Sequence, residues 1–521
     1  IASFGIENKD NPIMEFEPAN KAYQTTPYTG FRTFLKLRRG SEETLYEPFA
    51  PWNRDDGTRM RVGMNELALQ ASSREHSLQT DVLYFILPGE PFAGLVRQVR
   101  VTNAGAMPVS LQMLDGLARV MPYGVDNWGL KQTSRTLEAW MAVFNLEEDL
   151  PFYRLRASAG DTAEVSEIQA GHFYLAFDDS GRRLSAFVDP VVVFGQNTTL
   201  SQPDAFVEQS LADLRRRRQI TTGRTPCGFF GSEVTLEPGE ASNLYAIIGH
   251  AGNLEGIRHA AARVAQPAYV RQKRREANQL VAELTDVVAT RTSSPRFDAY
   301  VRQTFLDNVL RGGWPLLLGD GEAPTVYHVY SRKHGDLERD YNDFHVAAEP
   351  YAHGNANYRD VNQNRRCDVL LKPAVGASNL HAFLSLIQAD GYNPLVVEGS
   401  RFTLPPDRRA AVLDLVDHPE GLEPLLAAPF TPGQLLRAVI DRRLGLKVSP
   451  EALVTQALTH AERHLQAAFG EGYWIDHWTY NLDLIDTYLA IYPDRREDLL
   501  FGQPPLPFWD SAAIVQPRAR K

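Results

Sequence analysis

The sequence predicts a β-sandwich followed by a helical domain, and three observations predict it. Apolar and polar residues alternate at period two through much of the first 250 residues. An Ala-, Arg-, Glu- and Gln-rich stretch with few turn residues follows, and from about residue 293 apolar residues recur at i, i+3, i+4 and i+7. A chain of 521 residues exceeds one average domain and can bury more than one core. The expected boundaries are 1–250 for the sandwich, 251–292 for a helical linker and 293–521 for the helical part.

In the first part, Leu83 to Leu87 reads as a strand stopped by Pro88 and Gly89. Leu95 to Thr102 and Val109 to Met113 alternate apolar with polar residues around the turn Asn103-Ala104-Gly105, which predicts a hairpin in a large antiparallel sheet. Further strands are expected at His172 to Phe177, Leu184 to Val188, Val191 to Phe194, Val234 to Leu236 and Leu244 to Ile248, with Glu237-Pro238-Gly239-Glu240 turning between the last two. Leu254 to Ala289 suits one or two linker helices.

Ser294-Pro295 then gives a cap and a proline at the first helical position. Phe297, Tyr300, Val301, Phe305 and Val309 form one face, and Gly312-Gly313 stops the helix. Ser378 caps a helix that carries Leu380, Phe383, Leu384 and Ile387 and ends before Gly391. Thr431-Pro432 and Ser449-Pro450 start two more, the second reaching Gly470. A last helix runs from about Trp478 through Leu482, Ile485, Leu489 and Tyr492.

Charge and cysteine content exclude several classes. With 54 basic and 64 acidic residues the net charge is −10, which argues against a nucleic-acid binder. The run Arg215 to Arg218 reads as a solvated face. Cys227 and Cys367 stand alone, so neither a disulfide framework nor a zinc site is expected, and a reducing, cytoplasmic compartment is the default. No run of about 18 apolar residues is present to cross a bilayer.

Polar and aromatic density peaks between Tyr330 and Arg366. Tyr358-Arg359-Asp360-Val361-Asn362-Gln363-Asn364 places a guanidinium, a carboxylate and amides within two helical turns. Sugar hydroxyls both donate and accept, so they suit a set in which Arg donates, Asp accepts and amides do both. Upstream, Asp336, Glu338, Asp340 and Asp343 form an acidic cluster, read either as a solvated loop or, less well, as oxygen ligands for a cation. Downstream, Trp474-Ile475-Asp476-His477-Trp478-Thr479-Tyr480-Asn481 combines a helix-capping aspartate with rings that could stack on sugars.

The order of sandwich, linker and helices resembles the inverting carbohydrate phosphorylases related to cellobiose phosphorylase. So does the Tyr-Arg-Asp-x-x-Gln-Asn motif at 358 to 364. The stretch Asp-His-Trp-Thr-Tyr-Asn-Leu-Asp at 476 to 483 is most similar to the long β-glucan phosphorylases. The resemblance implies an N-terminal β-supersandwich, a helical linker and part of an (α/α) six-hairpin barrel. It implies that Arg359 and Asn364 bind the sugar whose bond is broken, supported by Asp360 and Gln363; the 474 to 481 stretch, read from its own residues, adds Asp476 and Trp478 as substrate-binding candidates. Asn364 departs from the aspartate of the cellobiose enzymes and loses a charge-assisted bond.

The implied reaction is phosphorolysis of β-linked glucan oligosaccharides to α-glucose 1-phosphate with inversion. Inorganic phosphate is the co-substrate, no cofactor or metal is needed, and a homodimer stays open. The family's Trp-Asn-Asp-Gly or Trp-Asn-Asp-Ala general-acid motif does not occur in the 521 residues, so the expectation is the N-terminal part of a longer enzyme, with no catalytic residue identified in it. The alternatives are an inverting glycoside hydrolase on the same architecture, with Asp340 or Asp343 tested as base, and a non-catalytic carbohydrate-binding protein.

Overall fold

The alternating stretches of the first part pair as antiparallel strands in two large sheets. The computed structural model describes the chain except residues 1–3, 6–9, 16, 18, 160–162, 165, 320–323, 331–345, 348, 469–474, 511–518 and 520–521, and the side chains of residues 4, 5, 19, 127 and 134. Sheets and helices are combined in both of its compact units, Ile1–Ala282 and Glu283–Lys521.

In chain order the strands of the first unit are β1 (Phe4–Gly5), β2 (Pro12–Met14), β3 (Phe31–Arg39), β4 (Glu42–Tyr46), β5 (Gly57–Val62), β6 (Glu66–Ser73), β7 (Leu78–Ile86) and β8 (Ala93–Asn103). They continue as β9 (Val109–Leu117), β10 (Met141–Phe144), β11 (Phe152–Leu155), β12 (Gly171–Asp178), β13 (Ser185–Phe187), β14 (Gly228–Leu236) and β15 (Ala241–Ala251). One sheet has eight strands in the order β10-β11-β12-β15-β8-β7-β6-β5, and the other has five, β13-β14-β9-β3-β4. Leu35, Leu111, Met113 and Phe230 of the five-stranded sheet share one core with Val82, Val99, Tyr174 and Ile248 of the eight-stranded sheet. The outer face of the larger sheet is covered in part by the helices Leu254–Val264 and Pro267–Asp286, through Ile257, Ala261, Val264 and Val270.

Two of the expected connections come out differently. β8 and β9 are not a hairpin, because β8 pairs with β7 and β15 while β9 pairs with β3 and β14. The Glu237 to Glu240 turn likewise carries the chain from β14 in one sheet to β15 in the other. Both crossings are tied at the buried Asn103. Its Nδ2 donates to Met107 O at 2.8 Å and Leu236 O at 3.0 Å, its Oδ1 accepts from Gly105 N, and its backbone bonds Glu240 and Gly239. Period two is the same for an edge-paired hairpin and for two strands on facing sheets, so it does not separate them.

Val191 to Phe194, read as a strand, lies in the helix Pro190–Phe194. Asp189 accepts from Val191 N at 3.1 Å, Pro190 supplies the helical φ, and Val192, Val193 and Phe194 are all buried, so the β-branched run reflects burial and not pleating. The neighbouring helices Asp204–Glu208 and Leu211–Arg216 close the outer side of the five-stranded sheet over Phe34, Leu114 and Phe229.

Among its described residues the second unit contains helices and also five strands that helical periodicity hides. β16 (Trp314–Leu318) pairs with β17 (Thr325–Val329), and β18 (Ala356–Asn357), β19 (Val396–Thr403) and β20 (Glu462–Ala468) form a three-stranded sheet. The helix begun at Ser449-Pro450 therefore stops at His460 and not at Gly470. Residues 462 to 468 are mostly good helix formers, yet pairing with β19 from Thr403↔Glu462 to Val396↔Ala468 overrides that preference. Ser378 opens the helix Ser378–Leu384 without capping it, since the cap position is Ala377. Thr431 and Gln434 do form a reciprocal capping box. In Pro295–Gly312 the expected apolar face stays 50 % and 64 % exposed at Phe297 and Tyr300, and the buried residues are Leu306 and Gly312.

Within the core of the first unit a buried ion pair, Arg97 of β8 with Asp115 of β9, joins the two sheets. Arg97 Nη2 donates to Asp115 Oδ1 at 2.8 Å and to Thr33 Oγ1 at 2.8 Å, Arg97 Nε to Asp115 Oδ2 at 3.0 Å, and Tyr84 adds a further contact. Burial disfavours the Arg97 charge, but Asp115 and Tyr84 outweigh it and hold the guanidinium ionised. Asp115→Ala strands that charge and is expected to lower the stability of the first unit by about 3–5 kcal/mol. A urea titration that finds less than about 1 kcal/mol would show that the pair does not bind the sheets together.

Candidate functional site

The candidate site is built on two helices of the second unit, Tyr358–Arg365 and His477–Ile491. The first begins immediately after β18, and the second presents His477, Asn481, Leu484 and Tyr488 on its buried side. That side is not the one anticipated, since Leu482 is 58 % exposed. The polar residues His477 and Asn481 turn inward because partners wait there. Tyr358 OH donates to Asn481 Oδ1 at 2.9 Å and to Phe383 O at 3.1 Å, and Asn362 Nδ2 donates to the same Asn481 oxygen at 2.6 Å. The Tyr358 ring stacks on His477 at 4.9 Å and meets Phe383 edge-on at 5.2 Å. His477 Nδ1 bonds Asn393 Oδ1 at 2.5 Å.

This buried assembly fixes what the two helix starts present to solvent. Arg359 is 43 % exposed, with Nε 3.4 Å from Asp360 Oδ1 and Nη1 3.9 Å from Asp476 Oδ2. Asp360 is buried and also accepts from Asn357 Nδ2 at 3.4 Å. Gln363, one turn beyond Arg359, is exposed on the same side of the helix. Asn364 is half-buried, and its Nδ2 donates back to Asp360 O at 2.6 Å.

Asp476 makes no capping bond with its side chain and has helical backbone angles of −66° and −15°, so the cap read from the sequence is absent and its carboxylate faces Arg359. Trp478 is 38 % exposed and lies against the turn at Gly391, where a Cβ would sit 3.6 Å from Trp478 Cζ2. Gly391 has φ of +86°, a conformation that favours glycine. The six predicted residues therefore divide. Arg359, Asp360 and Asp476 come together with Gln363 alongside, Trp478 follows Asp476 at the same helix start, and Asn364 is engaged by its own helix. Asp336, Glu338, Asp340, Asp343 and Trp474 lie outside the described residues.

Sequence reading missed three groups. His477 and Asn481 sit at i and i+4, a spacing that flags one helix face but carries no sign that the face is interior. A second polar cluster links β17 to the helices that follow: His328 Nε2 bonds Asp368 Oδ2 at 2.7 Å, and Asn379 Nδ2 donates to the same oxygen at 2.9 Å. The third group is a cleft of about 320 Å³ whose lining includes Glu349, His353, Glu398, Arg401, Gln434 and Gln466. His353 Nδ1 bonds Tyr327 OH at 2.5 Å at its wall. Among the described residues no group of three or more His, Cys, Asp or Glu is arranged to hold a metal ion, and no helix is long and apolar enough to cross a membrane.

Burial pulls both His328 and His477 down to about 4. Their folded values lie below the ordinary value of 6.5, so the unfolded chain takes up the protons first as pH falls. The stabilisation is complete above pH 6.5 and is lost on descending to about 4, at most about 3 kcal/mol for each histidine. Thermal melts of the second unit's transition should fall between pH 7 and 5, and His477→Gln should flatten that dependence. An unchanged slope in the variant would mean that His477 is not held neutral by burial.

No protein-family model matches the chain, and no curated protein sequence is significantly similar to it. Solved structures give distant likenesses. A polysaccharide lyase aligns at 14 % identity over 48 % of this chain and 30 % of its own, with a TM-score of 0.27. A bacterial glucoamylase complexed with acarbose aligns at 7 % over 71 % and 47 %, with a TM-score of 0.34. A protein assigned as a kojibiose phosphorylase from the human microbiome aligns at 8 % over 90 % and 47 %, with a TM-score of 0.16. The chain thus spans a third to a half of the length of these carbohydrate-active proteins, and at such scores the likeness adds no weight to any reading of the site.

Proposed function

We propose that this chain is the sugar-binding part of an inverting β-glucan phosphorylase, a carbohydrate-active enzyme that uses inorganic phosphate as co-substrate and no cofactor. On this reading the two-sheet unit corresponds to a β-supersandwich and the second unit to part of an (α/α) six-hairpin barrel. The observation that carries it is the half-exposed Arg359 guanidinium, held near Asp476 from a distant part of the chain, with the Trp478 ring two residues on. A guanidinium, two carboxylates and an indole at one edge offer sugar hydroxyls both donors and acceptors, and a sugar face a stacking surface.

In the implied chemistry a carboxylic acid with a raised pKa protonates the glycosidic oxygen while phosphate attacks the anomeric carbon from the opposite face, giving an α-sugar 1-phosphate. Phosphate takes the place of an activated water, so no second carboxylate is required as base. The residues of this chain bind and orient the sugar, and the acid and the phosphate site are unassigned. One observation favours a second reading, an inverting hydrolase. Glu349 and Glu398 line one cleft, and an inverting hydrolase needs a pair of carboxylates, one as acid and one as base.

Arg359→Ala should weaken laminari- or sophoro-oligosaccharide binding about tenfold, the worth of one hydrogen bond to a charged group, and leave the melting temperature within about a degree. Calorimetric titration and a melt check both. A large stability loss with unchanged affinity would make Arg359 a structural ion-pair residue instead. Phosphate-dependent release of glucose 1-phosphate supports phosphorolysis. Turnover without phosphate that is lost in Glu349→Gln and Glu398→Gln supports the hydrolase, and binding without turnover supports a binding protein.

A further inference from the structure

The outer face of the eight-stranded sheet carries two kinds of surface. Where it presents Val96, Phe177 and Ile247, the helices Leu254–Val264 and Pro267–Asp286 cover it. Beside the second helix, on β5 to β8, the same face turns polar and forms an open concavity of about 240 Å³. Arg59 and Arg61 of β5, Arg100 of β8 and Arg274 of the helix line it, against a single aspartate, Asp81 of β7.

Register sets Arg59 opposite Gln70, Gln70 opposite Asp81 and Asp81 opposite Arg100, a row that crosses four strands. Opposed Asp and Arg ordinarily pair across strands. Here they do not, because two neutral amides occupy the carboxylate: Gln70 Nε2 donates to Asp81 Oδ1 at 2.7 Å and Gln79 Nε2 to Asp81 Oδ2 at 2.8 Å. Arg274 is taken by Glu66 through two bonds of 2.6 and 2.8 Å. Arg59, Arg61 and Arg100 are exposed, and none of the three makes an ion pair or a side-chain hydrogen bond among the described residues.

The chain carries ten more acidic than basic residues, so three arginines left without a carboxylate in one concavity run against its overall balance. Each is a planar fork matched to a carboxylate. Arg59 and Arg100 lie three strand spacings apart, about 14 Å, while Arg59 and Arg61 share a face about 7 Å apart. One small ion cannot span that distance; a chain with an anionic group on successive units can.

We propose that this face of the sheet binds an acidic oligosaccharide, one whose sugar rings bear carboxylates, with Arg59, Arg61 and Arg100 each receiving one of them. The anionic part of the proposal stands on the three unpaired guanidiniums alone. The choice of a sugar as carrier rests on the carbohydrate reading above.

The test is calorimetric titration of the 521-residue chain at low ionic strength with tetragalacturonate, its full methyl ester and inorganic sulfate. The acid should bind at least about tenfold more tightly than the ester. A variant combining Arg59→Gln, Arg61→Gln and Arg100→Gln should lose that difference with an unchanged melting temperature, since all three side chains are exposed. Equal binding of acid and ester, or a difference that survives in the variant, overturns the proposal. Sulfate binding as tightly as tetragalacturonate overturns the oligosaccharide and leaves an ion site. Arg359→Ala should leave the acid's binding intact, and the triple variant should leave neutral laminari-oligosaccharide binding intact, so failure at one surface is read separately from failure at the other.

Discussion

The candidate site depends on the buried Asn481 oxygen, which accepts from both Tyr358 and Asn362 and ties the two helices together. A phenol taken out of water costs about 1–3 kcal/mol unless it finds an acceptor, and Asn481 provides one for both Tyr358 and Asn362. Three side chains from two helices far apart in sequence thereby fix the rotation of both helices about their axes. His477 completes the lock by stacking on Tyr358 while bonding Asn393. Once that interior face is set, the outward direction of Arg359 and the meeting of its guanidinium with Asp476 follow from helical geometry. The cluster is not fully satisfied: among the described residues Asn362 Oδ1, Asn481 Nδ2 and His477 Nε2 have no hydrogen-bond partner. Such residues lie on the sensitive side of the balance between a polar network that rigidifies and one that destabilises.

The first unit meets the same requirement with charges. Arg97 and Asp115 are both buried and each is satisfied several times over, so the two sheets are joined by a pair that specifies their alignment as well as by apolar contact. Asn103 does for the backbone what Arg97 does for the core, tying the two places where the chain leaves one sheet for the other. Both residues sit on β8, which makes that strand the reference for the register of its neighbours.

Polar surfaces in the molecule differ in whether their charges are already matched. Near Arg359 the guanidinium has carboxylates beside it, so a ligand there adds hydroxyl contacts to an existing arrangement. On the outer face of the large sheet, amides hold the one aspartate that lines the concavity and, among the described residues, three guanidiniums stay unmatched, so a ligand there would bring the opposite charge itself. Neutral sugar recognition fits the first arrangement and anionic recognition the second.

The sequence by itself determined the kinds of element that depend on local physics. Alternation at Val99, Arg100 and Val101 marked a strand, Ser294-Pro295 with Gly312-Gly313 marked both ends of a helix, and Thr431-Pro432 marked another start, because pleat, cap and proline geometry act within a few residues. The polar density at 358 to 364 and 476 to 481 was equally legible as composition. Tertiary structure alone decided which sheet each strand joins, since period two reads the same in either sheet. It decided that residues 462 to 468 are a strand, since pairing with β19 outweighs local helix preference. It also decided that His477 and Asn481 face inward while Leu482 faces out. A helix's amphipathic pattern states which residues share a face, but whether a polar face is interior depends on a partner such as Tyr358, brought there by the rest of the chain.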